Sequence, residues 1–101
     1  MPYATPLTDP EIAAALGRLE GWERDGAAIR RTVTCADFRA AISLIDRVAD
    51  AADEADHHPD IDLRRYRRVT FVLTTHAAGA ITARDVDLAA EIDRLATIGG
   101  A

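Results

Sequence analysis

Apolar residues recur along this chain with two different periods, and the switches between them divide it into seven elements. From residue 9 to about Leu19, the residues Ile12, Leu16 and Leu19 keep helical spacing. Thr8 or Asp9 is the N-cap, Pro10 fits the first helical position, and Glu11 is an acid in the first turn. Gly21 is the expected stop. Strands are expected at 21–24 and 28–33, joined at Asp25-Gly26, a pair that tolerates the positive φ of a tight hairpin. The alternation in the second is mixed, with Ile29, Arg31 and Val33 on one face and Ala28, Arg30 and Thr32 on the other.

Helical spacing returns after Thr34, read as an N-cap with Asp37 as its capping-box acid, and holds to about Ala55. This helix carries two apolar stripes. One is Phe38, Ile42, Ile45, Ala49 and Ala52; the other is Ala41, Leu44, Val48, Ala51 and Ala55. Together they are wider than packing on one sheet requires. A short chain buries little surface alone, so the second stripe is expected to meet another subunit. Pro59 ends the helical region and leaves His57 and His58 at the helix exit.

From Asp60 the period is two. Ile61, Leu63 and Tyr66 predict one strand; Val69, Phe71 and Leu73, alternating with Thr70, Val72 and Thr74, predict the next, with Arg67-Arg68 between them. His76-Ala-Ala-Gly79 breaks the strand, and Thr82 with Asp85 forms a capping box for a last helix. Its apolar face is Val86, Leu88, Ala89, Ile92, Leu95 and Ala96, and Gly99-Gly100 ends it. The order α-β-β-α-β-β-α predicts an α+β domain: a four-stranded antiparallel sheet with helices packed on it. Residues 1–101 are read as one domain, with 1–6 as a loose lead-in.

A length of 101 residues leaves no room for a second core, and 49% hydrophobic residues exclude a disordered chain. The longest apolar runs fall far short of the ~20 residues a spanning helix needs, so no membrane role is expected. Twelve basic against seventeen acidic residues give a net charge of −5, a poor basis for direct nucleic-acid binding, which depends on phosphate neutralisation. The basic run Arg64-Arg65-Tyr66-Arg67-Arg68 is read instead as an exposed strand face that guards an edge. Cys35, the one cysteine, excludes an internal disulfide and a cysteine-cluster zinc site, and is read as a packing residue. The start MPYATPLTDP has no charged and then apolar segment of a secretory signal, so a cytoplasmic location is expected.

All three histidines fall at element ends: His57 and His58 after the long helix, His76 after the last strand. Histidine titrates near neutrality, so such a cluster is a natural acid/base site. Solvated helix and strand ends are the plain alternative. No metal site is expected, because adjacent side chains on extended backbone diverge and the chain has no H-x-H or H-x-x-x-H.

Asp53-Glu-Ala-Asp-His57-His58-Pro59, Tyr66, Thr74-Thr75-His76, Gly79, Thr82 and Arg84-Asp85, with Leu19-Glu-Gly-Trp22 upstream, form a specific combination. The chain resembles the pterin-4a-carbinolamine dehydratase family over about residues 7–96. The resemblance implies loss of water from a 4a-hydroxytetrahydropterin to give the quinonoid dihydropterin, in the recycling of the pterin used by aromatic amino-acid hydroxylases. It implies His57 and His76 as the catalytic acid/base pair, with His58, Asp53, Thr75 and Asp85 on the substrate-binding side and neither cofactor nor metal. Asp53, one turn before His57, is expected to orient it; Asp85 is either the last motif position or simply the N3 acid of the Thr82 capping box. A homodimer or homotetramer is implied. The alternative is a non-catalytic dimerisation or regulatory module of the same fold. Two positions depart from the family pattern. Six residues separate Pro59 from Tyr66 where five are usual, which predicts a bulge near Arg64-Arg65. Ile61 stands where some members carry Trp, which predicts weaker stacking on the pterin.

Overall fold

The structure is a computed structural model that describes residues 5–98. Most of the expected lead-in and the Gly99-Gly100 stop therefore lie outside the described residues. The elements follow in the expected order: α1 (Asp9–Leu16), β1 (Glu23–Asp25), β2 (Ala28–Thr34), α2 (Phe38–Ala55), β3 (Asp60–Arg64), β4 (Arg68–Leu73) and α3 (Ala83–Ile98). The strands make one antiparallel sheet in the order β1-β2-β4-β3. In its two central strands Ile29 lies opposite Leu73, Arg31 opposite Phe71, and Val33 opposite Val69. The apolar members of this face join Ile12 of α1, Ala41, Leu44 and Val48 of α2, and Leu88 and Ile92 of α3 in one buried core. The other face carries Thr32, Thr70, Arg64 and Arg68 and is open to water; the Thr32 and Thr70 hydroxyls meet across it at 2.7 Å.

Several element ends differ from expectation. Thr8 caps α1 in a full capping box with Glu11, but the helix stops at Gly17 rather than Gly21. The turns that follow bring both Leu19 and Trp22 into the core, and the Trp22 indole donates to Asp93 of α3 at 2.7 Å. Asp93 also accepts from Arg31, so the one charge on the packed face of β2 is paired. Gly21 takes φ +89° in this turn, where a side chain would press on Arg31. At the first hairpin only Gly26 takes positive φ (61°); Asp25 stays in the ladder opposite Ala28.

Thr34 does not cap α2, because it is still paired with Arg68 at the end of β2. Asp37 is the N-cap and accepts from the Ala40 amide at 2.8 Å. The assignment of the two α2 stripes is also reversed. Ala41, Leu44 and Val48 are wholly buried against the sheet within the single chain, so that stripe is not free to meet another subunit. Phe38 and Ile42, from the other stripe, stand 52% and 39% exposed.

The strand expected to run through Tyr66 ends at Arg64. Its register with β4 is unbroken from Asp60–Val72 to Arg64–Arg68, so there is no bulge. The extra residue is taken up in a three-residue loop, Arg65-Tyr66-Arg67, in which Arg65 and Tyr66 both take left-handed φ (50° and 57°). Tyr66 is consequently exposed at the loop tip. Cys35 is buried; its amide donates to Arg67 O at 2.8 Å, and burial pushes its thiol above the usual value of 9.0, against the lowering effect of Arg47.

Candidate active site

The C-terminus of α2 is shaped to turn His57 inward. Asp56 takes the left-handed conformation (φ 49°, ψ 44°), one that Asp tolerates better than most residues. The chain then closes in a Schellman pattern, with the His57 amide on Ala52 O (3.1 Å) and the Asp56 amide on Asp53 O (3.2 Å). From α3, Arg84 Nη2 donates to the carbonyls of Asp56 (2.7 Å) and Ala55 (3.4 Å), bringing a cation to the negative end of the helix.

Turned this way, the His57 ring is 8% exposed, and its Nε2 lies 2.6 Å from Oδ1 of Asp85, which is wholly buried. Asp85 Oδ2 accepts from the Thr75 hydroxyl (2.9 Å) and the Thr82 amide (2.9 Å), and the Thr75 and Thr82 hydroxyls meet at 2.7 Å. The capping-box reading of Asp85 holds, and the residue has a second use beside it. One oxygen is the N3 acid reaching back to the first turn of α3; the other grips a histidine 28 residues away in sequence. Thr75 and Asp85, expected on the substrate side, sit 2% and 0% exposed beneath His57.

His58 faces the other way. Its Nε2 pairs with Asp53 Oδ1 at 2.9 Å, both side chains being more than half exposed. Asp53 therefore serves His58 and not His57 as expected: the left-handed turn at Asp56 swings His57 away from the α2 line on which Asp53 lies. His76 follows Thr75 directly and stands exposed at the start of the turn 76–79, closed by the Gly79 amide on His76 O at 3.1 Å. Among the described residues no hydrogen bond joins it to the other two histidines. Thr82, absent from the expected site residues, is the member of the network that sequence reasoning missed; its capping-box position was the available signal.

None of three surface grooves, of about 570, 880 and 390 Å³, is lined by a histidine, and the first borders the turn at His57 through Ala55 and Arg84. Among the described residues no group of three His, Cys, Asp or Glu side chains is placed to hold a metal ion. What remains is a buried imidazole–carboxylate pair at the edge of an antiparallel sheet, with two further histidines at its surface. Imidazoles titrate near neutrality, which makes these residues candidates for proton transfer.

The wider comparison fits this class. The chain belongs to the pterin 4 alpha carbinolamine dehydratase family, whose model matches residues 5–95. A Nocardia farcinica protein named for pterin-4-alpha-carbinolamine dehydratase is 58% identical over 90 residues, covering 89% of this chain and 94% of that one. A Mycolicibacterium smegmatis protein of the same name is 52% identical over 89 residues, 88% of this chain and 94% of that one. The crystal structure of a transcriptional coactivator/pterin dehydratase from Brucella melitensis superposes with a TM-score of 0.86 at 32% identity, over 91% of this chain and 99% of that one. A pterin dehydratase-like RuBisCO assembly factor of the alpha-carboxysome shares the fold, with a TM-score of 0.62 at 17% identity over 74% and 86% of the two chains.

Proposed function

We propose that this chain, as a pterin-4a-carbinolamine dehydratase, removes water from a 4a-hydroxytetrahydropterin by proton transfer through His57 and His76. The observation that carries this reading is the 2.6 Å bond between His57 and the buried Asp85. In the reaction the C4a–O bond breaks, the hydroxyl takes a proton and leaves as water, and N5 gives up its proton as the C4a=N5 bond forms. One group must supply a proton and another accept one, and both return to their starting states when the two protons are exchanged with solvent.

His57 suits the acceptor. Asp85 fixes its ring and meets the positive charge that forms when the ring takes a second proton, as a carboxylate does in other histidine-based catalysts. His76, exposed and next in sequence to Thr75 of the network, suits the donor to the departing hydroxyl. His58, held by Asp53 at the surface, positions the pterin. Ile61 is 37% exposed on the edge strand β3 and offers apolar contact without an aromatic face.

We further read the chain as a single catalytic domain, working in the cytoplasm as a homodimer or homotetramer and serving an aromatic amino-acid hydroxylase. Assembly is supported by the exposure of Phe38 and Ile42 on α2. Among the described residues no helix is long and apolar enough to cross a membrane. A purely regulatory module of the same fold leaves the buried His57–Asp85 pair with a structural role only.

The test is stopped-flow dehydration of chemically generated 4a-hydroxytetrahydropterin. His57→Ala and His76→Ala should each slow turnover by roughly 10²–10⁴-fold, the usual worth of a positioned acid or base. The double variant should lose less than the product of the two, since groups acting as one unit are not additive. A folded double variant as fast as the parent refutes the assignment.

A further inference from the structure

We infer that Thr82 and Thr75 are positioning residues for His57, their hydroxyls forming a one-way donor chain that fills Asp85 Oδ2, keeps the shared proton on His57 Nε2, and leaves Nδ1 as the nitrogen that meets the substrate. The inference rests on His57 being the acid/base proposed above.

The direction of the chain follows from proton counting. A hydroxyl has one proton to give. Thr75 spends its proton on Asp85 Oδ2, a carboxylate oxygen that only accepts while ionised (2.9 Å). In the 2.7 Å contact between the two hydroxyls, Thr82 must therefore be the donor and Thr75 the acceptor. Thr82 Oγ1 in turn accepts from the Arg84 amide at 3.2 Å. The order is fixed by the backbone: Arg84 N–H to Thr82 Oγ1, Thr82 O–H to Thr75 Oγ1, Thr75 O–H to Asp85 Oδ2. The first turn of α3 thus sets the orientation of a hydroxyl on the strand side of the site.

Asp85 Oδ2 also accepts from the Thr82 amide at 2.9 Å. Two donors occupy this oxygen, so a proton placed there would face donors on both sides. Only Oδ1 is left, 2.6 Å from His57 Nε2. An ionised Asp85 needs a donor across that gap, because an unprotonated Nε2 would set lone pair against lone pair. Neutral His57 is then the Nε2–H tautomer, with Nδ1 as its basic nitrogen. Among the described residues His57 Nδ1 has no hydrogen-bond partner, yet no buried side-chain nitrogen or oxygen there lacks one. Nδ1 therefore keeps some access to solvent, and through it to substrate.

The first measurement is the tautomer itself, read from side-chain nitrogen–proton correlation spectra of the uniformly labelled, unmutated protein above the titration of its histidines. His57 is expected as Nε2–H; a majority of Nδ1–H overturns the inference. The second is a pair of substitutions at each threonine. Thr75→Val removes a hydrogen bond to a charged group and should lower kcat roughly 10–100-fold. Thr82→Val acts one bond further away and should lower it roughly 3–10-fold. In both, KM should stay within about twofold, because substrate contacts are untouched. Thr75→Ser and Thr82→Ser keep the hydroxyl and should return kcat to within about threefold of the parent.

The Val variants should also raise the fraction of Nδ1–H tautomer, a signal that general loosening of the fold would not produce. A folded Thr75→Val protein with the parent's kcat and tautomer refutes the chain. Should that variant fail to fold, a Ser variant that loses kcat as severely as Thr82→Val does the same. If the unmutated protein proves unable to dehydrate the carbinolamine, the proposed function falls, while the tautomer shift in Thr82→Val still decides the donor chain separately.

Discussion

Replacing Asp85 by Asn isolates the chemistry of the carboxylate from its size. Three donors converge on this buried side chain: His57 Nε2–H, the Thr75 hydroxyl and the Thr82 amide. The amide has one acceptor oxygen and one NH₂, so at least one donor must face the NH₂. If the NH₂ turns to Thr75 and Thr82, the hydroxyl can rotate to accept but the Thr82 amide cannot. It is left unsatisfied at about 1–3 kcal/mol, and the bond from His57 loses its charge assistance at about 1 kcal/mol more. If the NH₂ turns to His57, the ring must adopt the opposite tautomer, in which Nδ1 already carries the proton and cannot act as the base. The first outcome costs about 2–4 kcal/mol of stability, which for a chain of this length lowers Tm by roughly 10–20 °C. The second costs little stability and removes the correctly oriented base, worth roughly 10²–10⁴-fold in kcat. Thermal unfolding followed by far-UV dichroism, beside stopped-flow dehydration at a temperature where the variant is folded, reads both. A variant that keeps Tm within about 2 °C and kcat within about threefold would show that the convergent bonds at Asp85 do not matter.

Ile42→Glu should leave the fold intact and move the protein towards monomer on size exclusion, whereas Leu44→Glu should unfold it. The second places a carboxylate in a wholly buried site at a cost of roughly 5 kcal/mol or more, comparable with the stability of a small domain. An unmutated protein that is strictly monomeric at micromolar concentration contradicts the first. Asp53→Asn, acting on an exposed pair with His58, should change kcat/KM by less than about fivefold, against a much larger loss for Asp85→Asn; equal losses would restore Asp53 as the partner of His57. Because the folded thiol of Cys35 ionises above 9.0, its burial stabilises the fold up to that pH. That contribution is lost as pH rises from 9.0 towards the folded value, and a Cys35→Ala protein should show a weaker alkaline fall in stability by urea titration. Treatment with a chelator should leave the dehydration rate unchanged; loss of activity with release of stoichiometric zinc would overturn a histidine-only mechanism.

The order of elements was legible because each carries its own period and its own punctuation. Thr8-Asp-Pro-Glu11 and the Gly26 hairpin are local signals, and local contacts do satisfy them. The misreadings arose where two local solutions compete. Thr34 and Asp37 are both plausible N-caps; pairing of Thr34 with Arg68, a residue 34 positions away, decides between them. Likewise both stripes of α2 have helical spacing, and only the position of the sheet determines that Ala41, Leu44 and Val48 face it. An amphipathic pattern wider than one face defines which residues can be buried, not which are. The loop at Tyr66 shows the same ambiguity. An extra residue between two strands can widen a ladder or lengthen a turn, and without Gly or Asn nothing in Arg65-Tyr66-Arg67 announces two left-handed residues.

The site was half legible for a related reason. The histidines, Thr75 and Asp85 were named by their motif, but who holds whom was misassigned at Asp53. One helical turn is the natural reach for a carboxylate on α2, and Asp53 lies at that distance from His57 in an unbroken helix. The left-handed residue Asp56 breaks that geometry, so the same carboxylate finds His58 instead. Asp85 conceals its second role behind its first. An N3 acid in a capping box uses one oxygen on the helix's own amide, and sequence shows that use alone. The second oxygen is free to serve any residue the fold brings to the first turn of α3, and here the inward turn at Asp56 brings His57. A buried capping acid is therefore a carboxylate with one oxygen already fixed in place by the backbone. Here the Thr82 amide and the Thr75 hydroxyl hold that oxygen while the other orients the His57 ring, so under the proposed mechanism the chemistry depends on the cap of α3 as much as on the turn that carries His57.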